Sequence, residues 1–276
     1  MIHRPTVGVF DAGIGGIPIA ASLQRRGYGL VYLGDAARRP YGPQSAESII
    51  RYVGEAERFF AGAACDLWVI ACNTASVVAQ TAVQGLLPHV DMVQAVTAEF
   101  GPDNSGPVGL LATAATVASG AFVTALPTYD VRQIATEELL RLAEEGGSDT
   151  QRIQALASDA FGELADAGCS TAILACTDFT CVLDDLREMA KGIDLFDPLD
   201  SAVRLVQSLA PISADHVDTQ GRNRLVLTGP HPVDVVAYAR ERFGLQLPKA
   251  EYVDLAGPSD AAAGPHPRFQ CQPDSP

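Results

Sequence analysis

The sequence predicts an α/β protein of two similar domains with mostly parallel sheets. Two observations carry this. Short apolar runs alternate with amphipathic stretches along most of the chain, the pattern of repeated βαβ units, whose strands pair in parallel. In addition, one segment occurs twice. Residues 61–74 read AGAACDLWVIACNT and residues 165–178 read ADAGCSTAILACTD. Aligned without gaps, they share Ala61/Ala165, Ala63/Ala167, Cys65/Cys169, Ala71/Ala175 and Cys72/Cys176. Each holds a short apolar run, as a buried parallel strand does, ending in Ala-Cys and two polar residues. Open α/β sheets bind ligands just beyond the carboxyl ends of their strands. Cys72 and Cys176 are therefore expected at equivalent strand tips of two related halves. Such a pair can set two thiols on opposite sides of one small substrate.

Taken in order, TVGVFD (6–11) is the first strand, followed by Ala-Gly-Ile-Gly-Gly (12–16) and a helix to about Arg26. The glycines suit a tight strand-to-helix turn, or the close approach of a ligand to backbone amides. G-x-G-G is not the dinucleotide fingerprint. Asp11 ends the strand, so its carboxylate is either a helix N-cap or a site residue. LVYLGD (30–35) is the second strand, and the loop 36–43 beyond it is placed for binding. Residues 45–60 form an amphipathic helix with Ile49, Ile50, Val53, Phe59 and Phe60 at helical spacing, leading to a third strand, 66–72. Residues 92–96 read as a further strand. The second half opens with strand 108–113 and a helix from Ala114. Strand 130–134 follows, then helices near 136–145 and 150–167, parted by Gly146-Gly147-Ser148. Next come strand 171–176, strand 194–198, helix 200–209, strand 223–228 and helix 232–243. After about Gly257 the Pro-, Ala- and Ser-rich tail predicts disorder.

Composition narrows the function. The chain has 276 residues, 47% hydrophobic and 19% charged, enough for a sizeable core. A net charge of −14 gives no general attraction to nucleic acid or to anionic membranes. No apolar run reaches the roughly 20 residues that span a bilayer. The amino terminus lacks a signal-like apolar region, so a cytoplasmic chain is expected. The six cysteines read as free thiols rather than disulfides. No C-x2-C pair exists and the five histidines are scattered, so no metal site is expected. Cys65 and Cys169 precede their apolar runs and read as small buried hydrophobes. Cys271 lies in the tail. Cys72 fits a packing role poorly, because Asn73 and Thr74 add polar groups at a strand tip.

FDAGIGG (10–16), YLGDAARRPYG (32–42), VIACNTA (69–75), VGLLATAATVASGAF (108–122), ACT (175–177), FDP (196–198) and LTG (227–229) together resemble, in that order, the signature blocks of the glutamate racemases. These belong to the cofactor-independent aspartate/glutamate racemase superfamily. The resemblance covers roughly 7–245. It implies two similar α/β domains related by a pseudo-two-fold, with the active site between them: residues 1–96 plus 211–256, and residues 97–210. It also implies a two-base reaction without pyridoxal, on a small amino-acid substrate, in a chain whose relatives are often homodimers. One cysteine thiolate takes the α-proton and the other thiol returns a proton to the opposite face. Cys72 and Cys176 match the acid/base pair, and Asp11 matches the residue that assists Cys72. Pro40, Tyr41, Gly42, Asn73, Thr74 and Thr177 match substrate-lining positions, with Ala12 at the place of a lining serine. Thr113 and Thr116 match less closely, and Glu144 least.

Two departures stand out. Asp11-Ala12-Gly13 replaces Asp-Ser-Gly, losing a hydroxyl. Cys176-Thr177-Asp178 replaces Cys-Thr-His, setting a carboxylate beside the thiol. A carboxylate raises a neighbouring thiol's pKa, but it can also accept the thiol's proton. Aspartate racemases carry an acid at the equivalent place, so Asp178 is a catalytic candidate, or else an inert carboxylate. The alternatives keep the fold. One is another reaction of the superfamily, such as aspartate racemisation or isomerisation of a related small carboxylate. The other is a racemase-derived binding protein without catalysis.

Overall fold

The computed structural model of the chain describes residues 4–101, 106–212 and 223–256. The predicted disordered tail, with Cys271, lies outside them. In the first half come β1 (Thr6–Asp11), β2 (Gly29–Gly34), β3 (Leu67–Ile70) and β4 (His89–Asp91). The second half repeats the series with β5 (Gly106–Ala112), β6 (Tyr129–Ala135), β7 (Thr171–Ala175) and β8 (Asp194–Phe196). The chain then returns with β9 (Arg224–Leu227) and β10 (Glu251–Tyr252). The sheets run β10-β9-β2-β1-β3-β4 and β6-β5-β7-β8, with every pairing parallel. Four strands of the first sheet thus share the order of the second. In each sheet the order reverses beside the first strand, at β1/β3 and at β5/β7. Sheets of this kind take ligands at that switch point.

The repeat extends to packing. Gly8 on β1 and Gly109 on β5 lie under Phe60 and Leu164, and an added Cβ would come within 2.4 Å of either side chain. Phe60 and Leu164 end equivalent helices, one residue before the repeated segments begin. The helix Ala46–Gly62 starts at Ser45, whose hydroxyl accepts from the Ser48 amide at 3.2 Å. It buries Ile49, Tyr52, Val53, Ala56 and Phe60 on one face. The helix Thr150–Asp166 starts at Asp149, which accepts from the Arg152 amide at 3.1 Å, and buries Ile153, Ala157, Ala160, Phe161 and Leu164. The helix Leu199–Leu209 packs Ala202, Val203 and Val206 into the core of the larger sheet.

One element differs from expectation. Residues 92–96 are not a strand. The strand is His89–Asp91, and Met92–Thr97 is a helix. The Asp91 carboxylate caps it, accepting from the Gln94 amide at 2.8 Å, and the Met92 amide donates to Ser76 Oγ at 3.0 Å. A short segment with four apolar residues, Met92, Val93, Ala95 and Val96, suits either state, and here the cap decides. The segment beyond β7 also acquires structure that the sequence did not signal: a 3₁₀ turn Thr177–Val182 and a helix Leu183–Met189.

Candidate active site

Asp11 closes β1, and its carboxylate is almost wholly buried. One oxygen accepts from the Gly13 amide at 2.8 Å; the other accepts from the Thr177 hydroxyl at 3.1 Å. The second bond crosses from one sheet's strand tips to the other's. The glycine turn makes it possible: a Cβ on Gly15 would lie 2.2 Å from Thr177 Oγ1.

Cys72 follows β3. The Ala71 amide bonds Phe10 O at 2.8 Å, and Ser76 Oγ donates to Ile70 O and Cys72 O, so the turn beyond the strand is fixed. Thr74, Thr113 and Thr116 form a chain of hydroxyls between the two halves, with Thr74–Thr113 at 3.1 Å and Thr113–Thr116 at 3.0 Å. Cys176 follows β7, and its thiol donates to Asp178 Oδ2 at 3.6 Å.

These strand tips border one cavity of about 510 Å³. Twelve of the residues singled out in the sequence line it: Asp11, Ala12, Pro40, Tyr41, Gly42, Cys72, Thr74, Thr113, Glu144, Cys176, Thr177 and Asp178. Asn73 and Thr116 do not. Thr116 is fully buried behind the hydroxyl chain. Asn73 begins the turn after Cys72, and its amide points to a separate space of about 10 Å³ behind Cys176 and Thr177, with neither polar atom bonded. Asp178 lines the cavity in contact with Cys176.

Glu137, Leu140 and Arg141, which carried no distinct sequence signal, repeat at helical spacing with the weakly matched Glu144 and turn one face of the helix Glu137–Glu144 to the cavity. That spacing could have nominated the set. Arg39, also lining, sits in the loop after β2 and pairs with Glu144 across the cleft. The loop is anchored by fully buried Asp35, which accepts from Tyr41 Oη, from Arg38 Nε at 2.7 Å and from Thr228 Oγ1 at 2.6 Å.

The electrostatics are acidic. Burial pushes the Asp11 carboxyl up to about 6, against the hydrogen bonds from Gly13 and Thr177, with Glu144 adding to the rise. Burial, then the charges of Asp11 and Glu144, push Asp178 up to about 7, while Arg39 pulls the other way. Both thiols lie well above the ordinary cysteine range. Burial is the first cause for each, followed by Asp11 for Cys72 and Asp178 for Cys176. His231 packs near Gly13, and its imidazole is lowered to about 4 by burial and by Arg39. It is therefore neutral near pH 7 and supplies no cation. Both thiols therefore hold their protons near pH 7, beside two carboxyls poised near neutrality.

Known proteins share this arrangement of sheets. Residues 20–206 match the family model described as Asp/Glu/Hydantoin racemase. A glutamate racemase from Desulforudis audaxviator is 30% identical over 81% of this chain and 86% of its own length. One from Roseiflexus sp. is 33% identical over 76% and 79%. The crystal structure of glutamate racemase from Francisella tularensis, in complex with D-glutamate, superposes with a TM-score of 0.80 at 25% identity, covering 92% of this chain and 98% of that one. Picrophilus torridus aspartate racemase, at 16% identity and a TM-score of 0.58, shares the fold. With two thirds of its length matched by the family model and its sheets matched in space, this chain belongs to the Asp/Glu/Hydantoin racemase family.

Proposed function

We propose that the protein is a glutamate racemase that inverts Cα by proton transfer between Cys72 and Cys176. One observation carries this: two cysteines from equivalent strand tips of two related halves line a single cavity, each beside a carboxylate. The relatives named above are glutamate racemases, which supports glutamate as the substrate.

The α-proton of an amino acid is a very weak acid, so the site has to supply a strong base and stabilise an enolate-like carboxylate. In the empty cavity the thiols hold their protons because they are buried among carboxylates. A substrate ammonium brings a positive charge to the same space and favours thiolate. In one direction Cys72 passes its proton to Asp11, and the resulting thiolate takes the α-proton. The Cα–H electron pair moves into the substrate carboxylate. Thr74 and Thr113 hydroxyls are in the lining to donate to it. Cys176 then gives its S–H proton to the opposite face, and Asp178 restores that proton. The reverse reaction exchanges the roles. Carboxyls with pKa values near neutrality suit this work, because they accept and release protons at similar cost.

The thiols need a reducing compartment, which agrees with a cytoplasmic enzyme. Supply of D-glutamate for peptidoglycan is the role this activity implies, and rescue of a D-glutamate auxotroph checks it. The direct test is NMR detection of deuterium entering Cα in D2O, from L- and D-glutamate and L- and D-aspartate. The expected result is rapid exchange and inversion with glutamate, lost in Cys72→Ala and in Cys176→Ala. Exchange that survives both substitutions, or no exchange with any of the four, would overturn the proposal.

A further inference from the structure

The cavity presents an electrostatic problem for a dicarboxylic substrate. Asp11, Asp178, Glu137 and Glu144 line it, against two cations, Arg39 and Arg141. Arg141 is exposed and its Nη1 is held by both oxygens of Glu145, at 2.7 and 2.8 Å. Arg39 differs in every respect. Its side chain is only 20% exposed, and its partner Glu144 lies on the opposite wall, also mostly covered at 25%. Its neighbour Arg38 turns the other way, into the buried Asp35 and Glu55 cluster, with its guanidinium 3.9 Å from the Tyr52 ring centroid. The loop is thus pinned by Arg38 while Arg39 projects into the cavity.

A second carboxylate entering this cavity meets repulsion unless a cation receives it. Guanidinium binds carboxylates through paired N–H donors, so exchanging one carboxylate partner for another conserves the ion pair. The released Glu144 then faces the same cavity as the substrate ammonium. The ion pair across the cleft therefore divides between the two charges of a zwitterion with an acidic side chain.

We propose that Arg39 is a specificity-determining residue that receives the distal carboxylate of the substrate in exchange for Glu144. This deepens the racemase reading and rests on it for the chemistry at Cα. Glu144 and Arg39 act in opposite senses on Asp178, so the same exchange also couples the presence of a distal carboxylate to the charge around a proton acceptor.

The experiment uses Arg39→Leu and Arg39→Lys in the full chain, with two readouts. The first is Cα exchange and turnover with glutamate and with its neutral isostere glutamine. The second is calorimetric binding of glutarate and of butyrate, which lack the amino group and do not react. In the wild type glutarate should bind more tightly than butyrate. Arg39→Leu should abolish that difference and raise KM for glutamate about 30-fold, the loss expected for a hydrogen bond between charged groups. The rise in KM should exceed any change in kcat, the loss should be smaller with glutamine than with glutamate, and Arg39→Lys should recover part of it. Unchanged glutarate preference in Arg39→Leu would overturn the assignment. So would a matched fall in melting temperature and kcat in Arg39→Leu and Glu144→Gln with that preference intact, which marks a latch between the halves and nothing more. A wild type that prefers glutarate but exchanges no Cα proton supports the assignment while sinking racemisation, so the two failures are distinguishable.

Discussion

The two cysteine tips are equivalent in topology and unequal in chemistry. Each follows the strand that flanks its sheet's switch point, and each precedes a short helical turn. Around Cys72 the groups are fixed. Ser76 holds the turn beyond its strand, and the nearby carboxylate of Asp11 is held at both oxygens. Around Cys176 they are loose. The thiol is less buried, and Asp178 contacts it directly at 3.6 Å. A repeated strand can thus duplicate the position of a nucleophile without duplicating its partner. The first tip has a held carboxylate nearby, the second a carboxylate in contact.

Removing either sulfur tests whether the tips are equal in necessity. Cys72→Ala and Cys176→Ala should each reduce racemisation by at least about 10³-fold, since neither face can be served from the other side. A variant retaining a tenth of wild-type turnover would show that water replaces that thiol, and the symmetric reading would fail.

The aspartates come next. Asp178→Asn and Asp11→Asn should each lower kcat by about 10²-fold, the usual scale of assistance by a general base. The enantiomers of glutamate have equal free energy, so kcat/KM must fall equally in both directions. Any asymmetry appears in kcat and in exchange without inversion. Asp178→Asn should slow deuterium capture from one enantiomer more than from the other; equal slowing would mean that Asp178 acts on the field of the whole cavity and not on Cys176.

Asp178 also leaves a mark on stability. Its carboxyl rises from 3.8 to about 7 on folding, so between those values the folded chain binds more protons than the unfolded chain. Stability of the empty enzyme therefore falls as pH rises through that window. Asp178→Asn should flatten the fall and gain about 1–2 kcal/mol at pH 8, less than the full shift because part of Asp178 faces the open cavity. Denaturant titrations at pH 5 and pH 8 read it directly. A slope unchanged in the variant would assign the pH dependence elsewhere.

Gly15→Ala probes the bridge between the tips. Its methyl would fall 2.2 Å from Thr177 Oγ1, forcing Thr177 off Asp11. Overpacking of this kind costs about 1–3 kcal/mol, and loss of the bridge should lower kcat about tenfold. Normal turnover with reduced stability would show that the Thr177–Asp11 bond joins the halves without serving catalysis.

Much of this was legible in the chain. Apolar runs with turn residues marked the strands, because buried parallel strands have few other patterns available. The internal repeat picked out Cys72 and Cys176, and the structure extends it to Gly8/Gly109 and Phe60/Leu164. The short helix Met92–Thr97 was not legible, since its apolar run lacked a distinguishing period and a side-chain cap decided its state. Asn73 and Thr116 were nominated by the resemblance, but both are buried and neither lines the cavity. Arg39, Glu137, Leu140 and Arg141 were missed, and Glu144 was named only weakly, because these residues meet only through tertiary packing across the cleft.

The smallest expected effect concerns the other repeated cysteine pair. Cys65 and Cys169 share the register of the repeat as fully as Cys72 and Cys176 do, and only their place before the apolar runs marks them in the sequence as packing residues. The structure separates them. Cys65 and Cys169 are each 5% exposed, lie at the amino-terminal ends of β3 and β7, and join hydrophobic clusters. Burial raises both thiols, Cys65 to about 12, so neither is a ready nucleophile. Ligands are taken at the carboxyl ends of parallel strands, and these sulfurs are at the wrong ends. Cys65→Ala and Cys169→Ala should leave kcat and KM unchanged while lowering stability by about 1 kcal/mol each, the scale for removing one small buried group. A loss of turnover without a loss of stability in either variant would mean that the strand transmits more than position to its tip, and that the repeat preserves function at both ends.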